Sequence, residues 1–245
     1  MAGRMAVGSA ALASLVRPAS QSEPDVLPVP PGLTGLLPHR GLRRGSTVAV
    51  AADRPAPSGG TSLVLALLAE ASRAGSWCAV VGVPALGVVA AAEVGIALDR
   101  LALVPHPGPD WTTVVAALID GVDVVVTAIP GTVSASVASR LAARARQRGC
   151  VLVPYGRWEG ADVTLRVVRG VWHGLGQGRG RLRRRELVLS ARGRGAAARP
   201  RQIRVWLPGE PPGTVAPIDD IGIPTSEVPR PVSLTLVRKP VRIPT

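Results

Sequence analysis

The chain has 245 residues, 47% of them hydrophobic, so it can bury a sizeable core in one large domain or in a domain with tails. Its formal net charge is +13, carried almost wholly by Arg with a single Lys, Lys239, and this excess favours a polyanionic partner, nucleic acid before membrane. No stretch reaches about eighteen apolar residues without a charge or a Pro, which argues against a membrane-spanning helix.

The two ends of the chain differ in composition from its middle. Residues 1–22 predict a short amphipathic or frayed helix, with a signal peptide as the alternative, and the Pro-rich residues 23–40 predict an extended linker. Pro recurs every few residues in 208–245, which predicts an extended or disordered tail. The compact core is therefore expected within residues 41–207.

Between residues 41 and 155, continuous apolar runs alternate with segments whose apolar residues recur at helical spacing. The runs predict strands at residues 47–52, 77–83, 101–104, 122–128 and 150–155. The segments between them predict helices at residues 61–74, 85–94, 111–120 and 132–148. Strands and helices that alternate in this way form right-handed crossovers, so we expect an α/β fold with a mainly parallel sheet flanked by helices.

After residue 155 the pattern changes to an alternation of apolar and polar residues. Residues 162–169, 185–190 and 202–207 predict short strands separated by loops of Gly and Arg. Such strands are expected to form antiparallel hairpins at the edge of the sheet.

The cysteines and histidines do not suggest a metal site. Cys78 and Cys150 each begin an apolar run, which predicts buried strand thiols in a reducing cytoplasm. His39, His106 and His173 lie far apart in Pro- or Gly-rich surroundings, as is typical of surface residues. Because the sequence also has no C-x-x-C pair, we expect neither a metal nor a cofactor.

The residues RPAPSGGT join the first predicted strand to the first predicted helix. This is the layout of a phosphate-binding P-loop, G-x-x-x-x-G-K-[ST], whose N–H groups cradle phosphates while a Lys reaches the β and γ oxygens. Arg54 stands at the first Gly and Gly60 at the Lys, whereas Thr61 keeps the hydroxyl that holds Mg²⁺. Ser58 and Gly59 complete this degenerate nucleotide pocket, in which weak nucleotide binding through N–H groups at a helix N-terminus stays an open alternative.

The order of these segments resembles the RecA ATPase core. GLRRGSTVAV is similar to the approach to that family's first strand, and RPAPSGGTSLVLALLAEASRAGSWCAVV to its P-loop, first helix and second strand. VGIALDRLALVPHPG is similar to the next strand with its approach, and VDVVVTAIP to the Walker B strand. The likeness covers roughly residues 40–170 and implies a RecA-like fold of the P-loop NTPase type.

The resemblance assigns three charged positions of the ATPase to uncharged residues. The P-loop Lys falls on Gly60, the Glu that activates water falls on or beside Pro84, and the Walker B Asp falls on Ala128. Asp123 is an alternative acid, but it begins its strand, and ligands of open α/β sheets lie at the carboxyl ends. Phosphoryl transfer depends on positioning and charge, so we expect a pseudo-ATPase with no catalytic residues. An active or weakly active RecA-type DNA-dependent ATPase or recombinase is the alternative.

A RecA-like core that lacks catalytic motifs, a basic C-terminal half and a Pro-rich tail together resemble the ImuA-type (ImuA-prime) proteins of actinobacteria. These are accessory factors of damage-induced mutagenesis in the SOS response. The resemblance implies a cytoplasmic, nucleoid-associated adaptor that binds ImuB, a catalytically dead Y-family polymerase homologue. Through ImuB it would act indirectly with an error-prone C-family DNA polymerase in translesion synthesis, and the region after the core would contact ImuB.

The positive charge is concentrated between Arg157 and Trp206, where thirteen Arg stand against three acids. The candidates for binding DNA or a partner are Arg179, Arg181, Arg183, Arg184, Arg185, Arg192 and Arg194. Contact with DNA phosphates, an acidic protein partner and a solvated face enlarged by codon bias all stay open. Trp158, Trp172 and Trp206 are the candidates for base stacking, and each could equally fill the core.

Overall fold

The computed structural model describes residues 25–52, 59–128, 131–176, 179–209 and 215–218, with the backbone alone for 174–176 and 179–183. The predicted helix in residues 1–22 and most of the predicted tail, from residue 219 onward, lie outside the described residues. Arg54 and Ser58 of the predicted nucleotide pocket also lie outside them.

The described chain begins with a small packed layer, where the sequence favoured an extended linker. β1 (Val26–Leu27) pairs antiparallel with β2 (Leu42–Arg43), and α1 (Pro31–Thr34) lies between them in the chain. Its apolar side chains are almost fully buried, at Leu27, Leu33, Leu36, Leu37 and Leu42. The difference has a physical reason: Pro is compatible with the first turn of a helix, and the leucines between the prolines supply the apolar area that makes packing favourable.

Five short strands form the parallel part of the sheet, and all five lie where the sequence predicts strands. They are β3 (Val48–Ala51), β4 (Cys78–Val81), β5 (Leu101–Val104), β6 (Val124–Thr127) and β7 (Val151–Pro154). Four of them pair in the order β5-β4-β6-β7, all parallel. Parallel bridges from Thr47 to Leu152 and from Val50 to Tyr155 join β7 to β3. Every residue of β4, β6 and β7 is buried, as expected for strands that are covered on both faces.

Helices cover both faces of these strands. On one face α2 (Gly60–Arg73) buries an apolar stripe that includes Leu63, Leu67 and Leu68. On the other face α4 (Trp111–Gly121) and α5 (Ala135–Arg148) form a second apolar cluster with β4, β6 and β7. The remaining helix, α3 (Val88–Glu93), is shorter than the sequence predicts. Within the described ranges, no helix combines the length and apolar composition that a bilayer crossing requires.

From β8 onward the strands are antiparallel, as predicted, but they are much longer than the sequence indicates. β8 (Val163–Gly176) lies parallel to β3 and antiparallel to β9 (Arg179–Gly193). β9 pairs with β10 (Arg201–Leu207), which pairs with β11 (Ala216–Pro217). The prediction of a Gly/Arg loop between the predicted strands at residues 162–169 and 185–190 is therefore wrong, because most of that segment belongs to β8 and β9. Cross-strand pairing overrides the weak strand preference of Gly, which only lowers the stability of a strand locally.

The compact part of the protein extends beyond residue 207, where the sequence predicts that the tail begins. Val215 is buried, and a Cβ placed on Gly32 would lie 2.6 Å from the Val215 carbonyl oxygen. Gly32 of α1 thus permits a close backbone approach that joins the N-terminal layer to the segment around β11.

Both cysteines are buried free thiols, as the sequence predicts. Burial, assisted by the charge of Asp123, raises the pKa of Cys78 to about 12 and that of Cys150 to about 12. At pH 8 only about one thiol in ten thousand is ionised at such a pKa, and the thiolate is the reactive form. We expect a disulfide reagent to label neither cysteine of the native protein at pH 8 within minutes, and to label both in guanidinium chloride. Rapid labelling of the native protein would contradict this placement.

Candidate functional site

The first turn of α2 is covered by Tyr155, which follows β7. Its Oη lies 3.2 Å from Oγ1 of Thr61. A Cβ placed on Gly60 would lie 2.8 Å from both Oη and Cε2 of the Tyr155 ring. Any larger side chain at Gly60, including the Lys of an intact P-loop, would collide with this ring unless the ring moved. Gly60 therefore allows the close approach of the Tyr155 ring, at the position that the RecA resemblance assigns to the P-loop Lys.

Arg185 approaches the same turn from β9. It is only 4% exposed, and a Cβ on Gly59 would lie 3.2 Å from its Nη1. The guanidinium carbon also lies 5.2 Å from the centre of the Trp172 ring. Burial lowers the pKa of Arg185 from its ordinary value. A cation other than the missing Lys thus stands beside the residues that sequence analysis assigned to phosphate binding.

The other two positions of the RecA resemblance lie at the same edge of the parallel sheet. β4 and β6 are neighbours, and Pro84 and Ala128 follow their carboxyl ends. Gly82, at φ +75°, lies so close to Ala128 that a Cβ on it would be 2.0 Å from the Ala128 carbonyl oxygen. The Ala128 N–H donates a 2.9 Å hydrogen bond to the Val81 carbonyl. Backbone therefore fills the gap between these two strand ends, where an ATPase would hold its acidic side chains.

Asp123 lies at the opposite, amino end of β6, as its position in the sequence predicts. Its carboxylate accepts hydrogen bonds of 2.8 Å from Arg44 Nη1 and from the Trp77 N–H. The Asp123 side chain is 3% exposed and that of Arg44 is 14% exposed. This carboxylate is a buried structural anchor. Among the residues that the structure describes, no group of three or more His, Cys, Asp or Glu is arranged to hold a metal ion.

A second candidate region is the open face of strands β8, β9 and β10, which we call the outer face. Side chains that are paired across neighbouring strands lie on the same face of a sheet. Leu187 and Leu189 of β9 are buried, so these two residues and their partners on β8 and β10 face the core, and the residues that alternate with them face outward. The outer face therefore contains Thr164, Arg166, Arg169, Val171, His173, Arg184, Glu186, Val188, Ser190, Arg192, Gln202, Arg204 and Trp206. Its five arginines are all exposed, whereas Glu186 is the one acid of this set.

A β-bulge places two of these arginines on the same face. The pairing register of β8 with β9 shifts between Val167 and Arg169, because one extra residue, Val168, is inserted in β8. Arg166 pairs with Ser190 and Arg169 with Val188, although an odd spacing would put them on opposite faces of a regular strand. The bulge thus adds a positive charge to the outer face.

One end of the outer face carries a stacked cluster. The guanidinium carbon of Arg184 lies 4.3 Å from the centre of the Trp206 ring, and the His173 ring meets Trp206 edge-on at 4.8 Å. Arg204 binds the Glu186 carboxylate through Nη2 at 2.6 Å, and His173 Nε2 lies 3.5 Å from it. Burial raises the pKa of Glu186, but the bonds from Arg204 and the nearby His173 outweigh burial and hold that pKa below its ordinary value. The ionised Glu186 therefore holds Arg204 beside the Trp206 ring.

The other end of the outer face opens into a positively charged cleft of about 670 Å³. Its polar lining consists of Thr164, Arg166, Ser190, Arg192 and Arg194. Guanidinium and hydroxyl groups together are suited to bind phosphate oxygens. From Arg184 to Arg192 the outer face extends about 26 Å along β9.

The structure separates the basic residues that the sequence grouped together. Arg184, Arg192 and Arg194 are exposed, whereas Arg185 lies in the interior beside α2. The backbone of the remaining candidates belongs to β9, and their side chains lie outside the described atoms: Arg179, Arg181 and Arg183.

The three tryptophan candidates also separate. Trp158 packs against the apolar cluster of α4 and α5, and Trp172 is 46% exposed next to Arg185. Trp206 is the one of the three that lies on the outer face. Sequence reasoning missed the pairing of Arg204 with Glu186 and the role of Tyr155. The two-residue spacing of Arg204 and Trp206 was a signal for a shared strand face, but no local pattern points to Tyr155.

Comparison with known proteins finds a family model that covers the parallel part of the chain, and a mycobacterial relative. The family model of the MT3502 N-terminal domain matches residues 35–160. The uncharacterized protein Rv3395c of Mycobacterium tuberculosis (strain ATCC 25618 / H37Rv) is 46% identical over 110 residues, which are 44% of this chain and 54% of that protein. The matched part thus spans about half of the relative's length. The family model ends before β8, so the outer face lies beyond it.

Proposed function

The chain belongs to the family of the MT3502 N-terminal domain. We propose that it is a non-catalytic RecA-type adaptor in damage-induced mutagenesis. In this role it binds a polymerase-like partner of the ImuB type and DNA, and takes part in translesion synthesis without hydrolysing ATP. The 46% identity to a mycobacterial protein is consistent with the resemblance to actinobacterial ImuA-type proteins.

The observation that carries the proposal is the contact of Tyr155 with the first turn of α2. Its ring fills the space beside Gly60 where a P-loop needs a Lys, and its Oη lies 3.2 Å from the Thr61 hydroxyl that would bind Mg²⁺. The two other charged positions of an ATPase are held by Pro84 and Ala128 at the same sheet edge. Phosphoryl transfer requires a positioned phosphate, a metal and an activated water. Because the charged side chains for these tasks are missing at this edge of the sheet, we infer that the edge has a structural role.

The arrangement of strands supports a RecA-type core. β3, which precedes the predicted phosphate loop, lies within the sheet between β7 and β8, and α2 follows on one face. Within the sheet that contains β3, antiparallel pairing begins only after β8. The basic outer face on these later strands supports the DNA-binding half of the proposal.

A weakly active nucleotide-binding protein is the competing function, and Arg185 is the observation in its favour. Its guanidinium lies beside Gly59 at the N-terminus of α2, where it could attract a phosphate in place of the missing Lys. Hydrolysis still lacks an acid at Ala128 and at Pro84, so this competitor predicts binding with little turnover.

The two functions are separated by measuring ATP hydrolysis of the purified chain with and without single-stranded DNA. We expect a rate that is the same as for Thr61→Ala and that DNA does not stimulate, because Tyr155 occupies the pocket. Turnover that DNA stimulates and that Thr61→Ala abolishes would contradict the adaptor. The Tyr155→Phe variant is the matched control for Thr61→Ala, since it removes the hydroxyl on the other side of the same contact and keeps the ring.

The adaptor role is tested by affinity purification of the tagged chain from DNA-damaged cells. We expect a Y-family polymerase homologue to co-purify with the full chain and to be lost on truncation after Ile218. This truncation removes residues 219–245 but retains the buried Val215 and strand β11, so the sheet edge stays intact. Arg140→Gln on α5 controls for the loss of one exposed charge. If the full chain recovers no such polymerase homologue, the proposal fails.

A further inference from the structure

We propose that the outer face binds single-stranded DNA, with bases stacked at the Arg184–Trp206 pair and phosphates bound in the cleft around Arg166 and Arg192. The choice of DNA over RNA rests on the proposed function. The assignment of the surface to a single strand rests on the geometry of the outer face.

The outer face carries a large excess of positive charge. Arg166, Arg169, Arg184, Arg192 and Arg204 are exposed on one open sheet face, with a single acid among the residues of that face. Glu186 already binds Arg204 at 2.6 Å, so it adds little repulsion toward an approaching phosphate. A flat surface with this excess of guanidinium groups attracts a polyanion without selecting its sequence.

The stacked cluster is the second step, and it selects unpaired bases. Arg184 is exposed and held over the Trp206 ring at 4.3 Å, which presents a planar guanidinium to solvent on an ordered support. His173 packs edge-on against the same ring, with the ring centres 4.8 Å apart. Bases stack on aromatic rings and on guanidinium planes, but a duplex keeps its bases stacked on each other. An acidic peptide would use the charges and would have no use for the stacking surface.

The third step is the spacing of the two features. The stacked cluster and the cleft are separated by about 26 Å along β9, a length that suits a strand of several nucleotides. Arg166 and Arg192 line the cleft with Thr164 and Ser190, so two charged donors and two hydroxyls converge at its wall. The strand would therefore be held by stacking at one end and by phosphate contacts at the other.

The test is fluorescence anisotropy of the full chain with a labelled dT12 oligonucleotide over a range of salt concentrations. Trp206→Leu is expected to weaken binding about five- to a hundredfold with an unchanged salt slope, since it removes stacking and no charge. Arg192→Gln is expected to reduce the salt slope by about 0.7, the contribution of one phosphate contact to a single strand. Arg140→Gln, an equal loss of charge on α5, should leave both quantities unchanged.

Thermal unfolding of each variant confirms that the fold is intact, and Arg184→Lys provides a second stacking variant that keeps the charge and β9. Weaker binding by Arg184→Lys with an unchanged salt slope supports the stacking site. The proposal is overturned if both Trp206→Leu and Arg184→Lys bind as the parent does, if Arg140→Gln loses as much as Arg192→Gln, or if a duplex of the same length binds as tightly. Tighter binding of an RNA dodecamer than of dT12 would overturn the assignment to DNA.

This test is independent of the adaptor proposal. Trp206→Leu is expected to leave recovery of the polymerase-like partner from cells unchanged, because that contact is assigned to residues 219–245. Failure to recover the partner with intact DNA binding would therefore refute the partner-binding half of the proposed function alone. The reverse result would refute the DNA site and the DNA-binding half, and would leave partner binding intact.

Discussion

Replacing Asp123 by Ala is expected to lower the free energy of unfolding by about 3–5 kcal/mol, the loss found when one partner of a buried ion pair is removed. The substitution leaves the Arg44 guanidinium in a site that is only 14% exposed. It also deprives the Trp77 N–H of its 2.8 Å acceptor. Chemical denaturation of the purified variant measures the loss, as a shift in midpoint at constant slope.

The chain offers a matched control in Asp120, which binds Arg144 and Arg148 at the surface. Bonds from Arg144, only partly offset by burial, hold the pKa of Asp120 below its ordinary value, but water screens this exposed site. Asp120→Ala is expected to cost less than about 1 kcal/mol. Equal losses for the two variants would show that Asp123 is not the anchor of β6.

A second variant keeps the Asp123 result informative if the Ala protein does not fold. Asp123→Asn retains an acceptor for the Trp77 N–H, and Arg44→Gln removes the opposite charge. A double-mutant cycle with these two substitutions isolates the coupling of the pair. A coupling energy near zero would contradict an anchoring role for the ion pair.

The parallel part of the fold was predictable because its local signals agree with its packing. β5 begins at Leu101 and α4 at Trp111, the residues at which the apolar patterns begin. Each strand of this part is a short apolar run between turn residues, and each helix has one apolar stripe. Local preference and tertiary burial favour the same structure there.

The N-terminal layer and the long hairpin were not predictable in the same way. Leu33 and Leu37 occur between prolines without a strand or helix period, so only their burial reveals them as core. The glycines and arginines of β8 and β9 have low strand preference. They form strands because each pairs with a neighbouring strand, which fixes the pairing register. Tertiary contacts decide the structure of both segments.

The residues of the candidate site also differ in whether they could be predicted from local sequence. Gly60 and Ala128 were singled out from the order of motifs, but Tyr155, which contacts the first turn of α2, is 94 positions from Thr61. No local pattern reports such a contact. The sequence analysis treated Arg184 and Arg185 alike, as members of one basic segment. In a strand, neighbours point to opposite faces, and this periodicity sends Arg184 to solvent and Arg185 to the interior.

The second large effect is expected for Gly82→Ala, at about 2–5 kcal/mol of lost unfolding free energy. An L-residue at φ +75° costs about 1–2 kcal/mol, and overpacking a close contact adds about 1–3 kcal/mol. The added Cβ would stand 2.0 Å from the Ala128 carbonyl oxygen, which is backbone and cannot rotate away. The ends of β4 and β6 would have to separate, and the 2.9 Å hydrogen bond from Ala128 to Val81 would lengthen.

Gly108→Ala separates the two causes, because Gly108 has φ +69° and a Cβ there would meet nothing within 4 Å. Its expected loss is about 1–2 kcal/mol, from backbone conformation alone. Similar losses at both sites would mean that β4 and β6 separate without cost, and that the gap can open to admit an acidic side chain and a nucleotide. A clearly larger loss at Gly82 would mean that the fold depends on closure of the gap. The need for a stable fold would then retain Gly82 at this edge of the sheet, where an active ATPase needs space for an acidic side chain and for its metal ion.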